Sequence, residues 1–308
     1  MDSPIWNPHA WGLRLYISQQ WRRQRLILSI LAGLGSWWLT VSAPVVAADA
    51  ADADFQSRWR TYDQNSTDRL EHSVWERFLE AYVTTDQAGA TRVDYNHVRP
   101  TDKVMLDAYI AYLERVRIGT YNRQEQMAFW INLYNALTIR LVLRHYPLQS
   151  IRDIDISPGW FAVGPWGAPL TKIEGQILSL DDIEHSILRP IWQDPRLHYA
   201  LNCAAVGCPN LMPRAFTSAG LGAQLDAAAR AFVNHPRAVS IESNGVRVSR
   251  LYKWYREDFG ETDANVLDHL RKFAAVPLSR VLNGVSSFEF SDYDWSLNDH
   301  RDKFRQAN

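Results

Sequence analysis

The chain has 308 residues, enough for one large domain or two ordinary ones, and an apolar fraction of 46% that supplies a sizeable core. Its 33 Lys and Arg nearly balance its 34 Asp and Glu, which argues against a polyanion or nucleic-acid partner. The 13 tryptophans are scattered, a distribution typical of core or half-buried packing, and there are only 2 cysteines.

Arg22, Arg23 and Arg25 precede an apolar run over residues 26–47, which ends in Val45-Val46-Ala47 and an alanine-rich stretch up to Ala53. A basic n-region, an apolar h-region and a small-residue exit describe an export signal. The run is also long enough to act as an uncleaved membrane anchor. Gly33, Gly35, Ser36 and Pro44 interrupt it and favour cleavage. In either case the arginines stay in the cytoplasm and the body is exported, to the periplasm or beyond the cell. The expected organisation is an export segment or anchor over 1–53 and one globular domain over 54–308. In an oxidising compartment two cysteines can pair.

From about Phe55 to Asp94 the chain reads as helical with one break, with Val74, Phe78, Leu79 and Tyr82 at helical spacing. Residues 87–90 form a loop, and Val93-Asp94-Tyr95 a short strand. Leu106, Tyr109, Ile110 and Leu113 mark an amphipathic helix within Lys103 to Arg117. The strongest helix runs from Arg123 to Tyr146, with Asn122 as N-cap, Glu125 in the first turn and Pro147 as the stop. It is apolar almost all round and therefore central and buried. Asn132 and Asn135 inside it need partners on neighbouring segments.

Ser157-Pro158-Gly159-Trp160 and Gly164-Pro165-Trp166-Gly167 punctuate a loop-rich segment. Ser179 then caps a short helix that ends near Pro190, with Asp182 as the capping-box acid. Leu197 to Leu201 reads as a strand, which places His198 and Asn202 on one face and Cys203 on the other. A helix over Leu221 to Val233 follows. Next come a hairpin of Ala238–Ile241 with Val246–Ser249 across Ser243-Asn244-Gly245, helices over Leu251–Phe259 and Ala264–Phe273, and a strand at Ser287–Phe290. The expected class is α+β, dominated by helices with a small sheet.

The run HYALNCAAVGCPNL, from His198 to Leu211, holds both cysteines. Cys203 and Cys208 enclose a small loop containing Gly207, whose geometry suits a disulfide. A catalytic Cys203 would need its ionisation favoured by an imidazole or a helix N-terminus, with His198 or His185 as base. Strand alternation turns His198 away from Cys203. No CxxC or HxxxH spacing supports a metal centre, and no cofactor is implied. Asp181 and Asp182 stand at facing helical spacing from His185, a pattern that reads as a surface cluster. Tyr252, Trp254, Tyr255 and the block YDWSLN at Tyr293 to Asn298 read as packing and tail docking.

Five blocks occur in order: AFWINLYNALTIRLVL from Ala128, LSLDDIEHSILRP from Leu178, DPRLHYALNCAAVGCPNL from Asp194, VSRLYKWYREDFG from Val248 and YDWSLN from Tyr293. Together they resemble the DUF547 family of uncharacterised domains, most firmly over about residues 121–238. The resemblance implies a papain- or transglutaminase-like core. In that plan a nucleophilic cysteine opens a central helix, and a histidine and an acid or amide lie on following strands. The helix containing FWINLYNA would be the central one and His198 would open the strand, yet Asn132 and Asn135, not a cysteine, are the polar residues near the helix start. Two readings of function follow. One is an exported binding or scaffold module for a protein or peptide ligand. The other is a cysteine-dependent amide hydrolase or transamidase with Cys203 as nucleophile. Asparagine in place of the expected cysteine favours the first.

Overall fold

The computed structural model describes residues 55–159, 163–243 and 245–300. It divides into Met1–Arg58 and Trp59–Asn308. The expected export segment lies outside the described residues, as do Trp160 and Asn244. Of the first unit only residues 55–58 are described, and they are helical.

The second unit is α+β, with helices dominating three small sheets. Helix α1 (Ser73–Tyr82) buries Trp75, Phe78, Leu79 and Tyr82, and leads into the hairpin of β1 (Val83–Thr85) and β2 (Thr91–Val93). Helix α2 (Pro100–Leu113) buries Leu106, Tyr109, Ile110 and Leu113, the four positions marked by the 3.6-residue period.

Helix α3 (Arg123–His145) is the centre of the unit. Its N-cap works as the sequence predicts: Glu125 N–H donates to Asn122 Oδ1 at 3.0 Å. Nearly every side chain from Glu125 to Leu143 is buried, so the helix has neighbours on all sides. Its two inward amides act as backbone pairs in miniature. Asn132 Nδ2 donates to Phe216 O at 2.7 Å while Phe216 N–H donates to Asn132 Oδ1 at 2.9 Å. Asn135 Nδ2 donates to Ala200 O at 2.9 Å while Asn202 N–H donates to Asn135 Oδ1 at 2.9 Å.

After the hairpin of β3 (Thr171–Ile173) and β4 (Gln176–Leu178), Ser179 and Asp182 cap the next helix reciprocally. Ser179 N–H and Oγ reach Asp182 Oδ2 at 2.9 and 2.7 Å, and Asp182 N–H donates to Ser179 Oγ at 3.1 Å. This helix, α4, is π-wound over Asp182–Leu188 and α-wound over Arg189–Trp192, so it runs past Pro190. A short helix α5 (Leu197–Ala200) precedes the cysteine loop, and α6 (Leu221–Val233) follows it.

The C-terminal part builds β5 (Val239–Glu242), β6 (Gly245–Val248), α7 (Leu251–Trp254), α8 (Asp263–Phe273), α9 (Val276–Asn283) and β7 (Glu289–Phe290). Strand β6 pairs antiparallel with β5 and parallel with β7. Phe232, Val248, Tyr252, Val266 and Leu270 meet here in a core of their own.

Two expectations are corrected, and one helix lay outside them. Residues 61–72 are not helical. Leu197–Ala200 is a helical turn rather than a strand, and all four of its side chains are buried. Four residues buried on every face carry no contrast from which a period of 2 or 3.6 can be read. Helix α9 starts with Pro277 in its first turn and buries only Leu282 fully, so it carries no apolar face to read.

Replacing Asn135 by Ala orphans a buried carbonyl and a buried N–H together, and we expect it to cost about 2–4 kcal/mol. Urea unfolding checks this. The midpoint falls with the slope unchanged, and a shift equivalent to less than about 1 kcal/mol contradicts the clamp.

Candidate functional site

The loop from Leu201 to Pro209 presents the two thiols. Asn202 organises it from within: its Oδ1 accepts Ala204 N–H at 3.0 Å and its Nδ2 donates to Pro209 O at 2.7 Å. Ala204 sits at φ 58°, a left-handed conformation that a residue with a Cβ adopts only where its surroundings enforce it. The C-terminal tail pins the other side, through Val206 N–H to Ser296 O and Gly207 N–H to Asp294 O, both 2.8 Å. A Cβ on Gly207 would stand 3.0 Å from Asp294 N, a tight fit that a larger residue meets only if the tail backbone shifts.

Cys203 and Cys208 are both free thiols, with their sulfurs 2.8 Å apart. Cys203 is half-buried and Cys208 only 3% exposed. Cys203 N–H donates to Cys208 Sγ at 2.9 Å, and the Tyr293 hydroxyl stands 3.4 Å from Cys203 Sγ. The pair is electrostatically unequal. Its hydrogen bond with Cys208 draws the Cys203 pKa below that of an ordinary thiol against the effect of burial, with help from Tyr293 and the Ala205 amide. Burial and the neighbouring Cys203 charge push Cys208 well above it.

A second cluster surrounds His198. Its Nε2 donates to Asp258 Oδ2 at 2.6 Å, and its Nδ1 faces Glu184 Oε1 at 3.8 Å. Tyr255 stacks on the ring with centroids 3.9 Å apart. Arg189 grips Asp258 with two nitrogens, at 2.6 and 3.0 Å. The π-winding of α4 makes this possible. On an α-helix, residues five apart diverge by about 140°, whereas here Arg189 N–H bonds Glu184 O across five residues and both side chains turn to His198 and Asp258. Burial alone would raise Glu184, but His185, His198, the Tyr255 hydroxyl and Arg189 carry it below the usual carboxylate range. Tyr134 also donates to it at 3.1 Å. Asp258 is likewise held well below that range, because its bonds to His198 and Arg189 outweigh burial.

His185 borders this cluster. Arg189 Nη1 lies 3.0 Å from its Nδ1, and since arginine only donates, Nδ1 accepts and the ring proton sits on Nε2. Burial drives its pKa down to about 4, with Glu184 opposing. The cluster expected on the surface around His185 is half-buried: Asp181 stands 3.9 Å from His185, and neighbouring Glu184 is buried.

The site residues read from the sequence therefore fall into two groups. Cys203 bonds Cys208 and Tyr293, while His198 and His185 join Glu184, Asp258 and Arg189. No hydrogen bond joins Cys203 to His198. With residues 197–200 helical, the strand-face argument for separating them lapses, and carboxylates engage His198 instead. Sequence reasoning missed Asp258, Arg189 and Tyr134, which reach the site from separate segments. Their only signal was that each lies in one of the quoted blocks: Tyr134 in the one from Ala128, Arg189 in the one from Leu178 and Asp258 in the one from Val248. Among the described residues no group of three or more His, Cys, Asp or Glu is placed to hold a metal ion.

Beside Cys203 stands a set of half-buried rings. Tyr293 and Trp295 lie with centroids 4.7 Å apart, Trp254 is 4.7 Å from Tyr293 and 5.7 Å from Trp295, and Trp166 is 5.7 Å from Trp295. Tyr252 is core, as expected of packing, but Trp254, Tyr293 and Trp295 keep part of their surface open.

These features define an α+β domain in which a paired thiol and a buried imidazole–carboxylate cluster adjoin. Residues 118–233 match the model of the family described as "Protein of unknown function, DUF547", so the chain carries a DUF547 domain. The matched span includes α3, α4 and the thiol loop, while Tyr255, Asp258 and the aromatic tail lie beyond it. No curated protein and no solved structure matches the chain.

Burial likewise lowers His72 to about 4, the same value as His185. The unfolded chain then binds more protons than the folded one between roughly pH 6.5 and 4. The stability these rings contribute is complete above about pH 6.5 and is lost as pH falls toward 4. We expect each to cost about 2 kcal/mol between pH 7.5 and pH 5. Urea midpoints measured across that interval check this, and a flat profile contradicts it.

Proposed function

We propose that the chain is an exported binding module that receives a peptide segment on the face formed by Trp166, Trp254, Tyr293 and Trp295. The observation that carries this reading is the half-open set of rings beside the thiol loop. Neighbouring rings cross at 31° to 70°, so they offer no flat platform for a sugar. Clefts between tilted rings suit the interleaved side chains of a peptide, and Trp and Tyr are the residues that dominate such contacts. Export is supported by the basic, apolar and small-residue order of residues 22–53. A cysteine hydrolase fits less well. A carboxylate faces each nitrogen of His198, the nearest analogue of a catalytic base, and neither nitrogen bonds Cys203.

The test is selection from a phage-displayed library of linear peptides on the mature chain, followed by affinity measurement on a W254A/W295A variant. Enriched peptides should bind the variant at least about tenfold more weakly, as loss of two contact rings implies. No enrichment, or equal binding by the variant, refutes the reading. For export, intact mass of the purified protein should correspond to cleavage between about residues 44 and 53. A full-length chain recovered from the cytoplasmic fraction is the contrary result.

A further inference from the structure

The peptide face does not account for the thiols. Two sulfurs 2.8 Å apart, one half-buried and one sealed, are held by a loop whose backbone is fixed at both ends and strained at Ala204. A purely structural thiol needs neither a second thiol in contact nor such enforced geometry. We propose that Cys203 and Cys208 form a thiol–disulfide exchange site acting on disulfides of peptides or proteins, with Cys203 the attacking sulfur and Cys208 the resolving one.

The chemistry closes with a substrate disulfide as the oxidant. The Cys203 thiolate attacks one sulfur of R–S–S–R′. A bond forms between Cys203 and that sulfur, the substrate S–S bond breaks, and its electron pair leaves with R′–S⁻, which takes a proton from water. Cys208 gives up its proton to water and attacks the Cys203 sulfur. The Cys203–Cys208 bond forms, the mixed disulfide breaks, and R–S⁻ departs and is protonated. Two electrons pass from the dithiol to the substrate, and the reverse sequence oxidises a substrate dithiol.

The division of roles follows from position. Cys203 is the less buried of the two cysteines, and the Cys208 sulfur, the Tyr293 hydroxyl and the Ala205 amide lie around its sulfur. Cys208, enclosed behind it, meets a substrate only through Cys203. The same hydrogen bonds favour the Cys203 thiolate, while burial holds the Cys208 proton until a mixed disulfide has formed. The proposal goes beyond the binding reading and does not rest on it, because a small disulfide needs no ring face.

The test incubates the reduced, mature chain with oxidised glutathione and follows intact mass. Wild type should lose two hydrogens and keep no adduct. Cys208→Ser and Cys208→Ala should each accumulate one glutathione on Cys203. Cys203→Ser should react at least about tenfold more slowly than either. Glutathione needs no ring face, so a failed peptide selection leaves this result untouched. Circular dichroism confirms that each variant is folded. Three outcomes overturn the proposal: no adduct on folded Cys208 variants, equal reactivity of Cys203→Ser, or a wild-type pair that glutathione buffers neither oxidise nor reduce.

Discussion

Irregular backbone buried away from water has to find hydrogen-bond partners, and around the thiol loop three asparagine side chains provide them. Asn135 on the central helix clamps the chain at Ala200 and Asn202. Asn202 then closes the loop on Ala204 and Pro209. Asn298 from the tail donates to Asn202 Oδ1 at 3.3 Å and itself accepts from Tyr95 at 2.9 Å. The thiol loop has no long strand beside it, only an isolated bridge from Ala205 to Leu297. This relay and the backbone bonds from the tail to Ala204, Val206 and Gly207 together hold its left-handed turn and bring the two sulfurs together. Its cost is polar burial in an otherwise oily core, which is tolerable because each amide is paired.

The same economy governs the histidine cluster. Two carboxylates share the interior with one arginine and two imidazoles, and the π-turn supplies the register that lets Glu184 and Arg189 serve one site. Buried charge of this kind is costly unless matched, and here Arg189, Tyr134 and His198 match it. The cluster touches the thiols through charge rather than contact: Glu184 opposes ionisation of Cys203, while the local hydrogen bonds favour it. Chemistry at Cys203 is therefore set by its own loop, and His198 organises the interior beside it.

Legibility followed the physics of each signal. Helices α2, α3 and α6 were readable because one face, or every face, is apolar over at least three turns, and the start of α3 carries a side-chain cap as well. The hairpin of β5 and β6 was readable from its turn residues. Leu197–Ala200 was not, because a four-residue segment buried all round has no period. In the site, Cys203, His198 and His185 could be singled out by residue type. Asp258 could not: it is an ordinary acid in the sequence until a bond across 60 residues joins it to His198.

Residue types and local spacing alone determined the α+β class, the buried central helix with its two needy amides, the capped helix after Ser179, and the thiol-bearing run as the place where chemistry could sit. Only tertiary structure decided who meets whom. It put the Asn135 amide on the thiol loop, Glu184 and Asp258 on His198, and Tyr293 on Cys203. Periodicity and capping act within a few residues, so sequence exposes them. Hydrogen bonds and ion pairs between distant segments depend on how whole elements pack, and no local pattern records that.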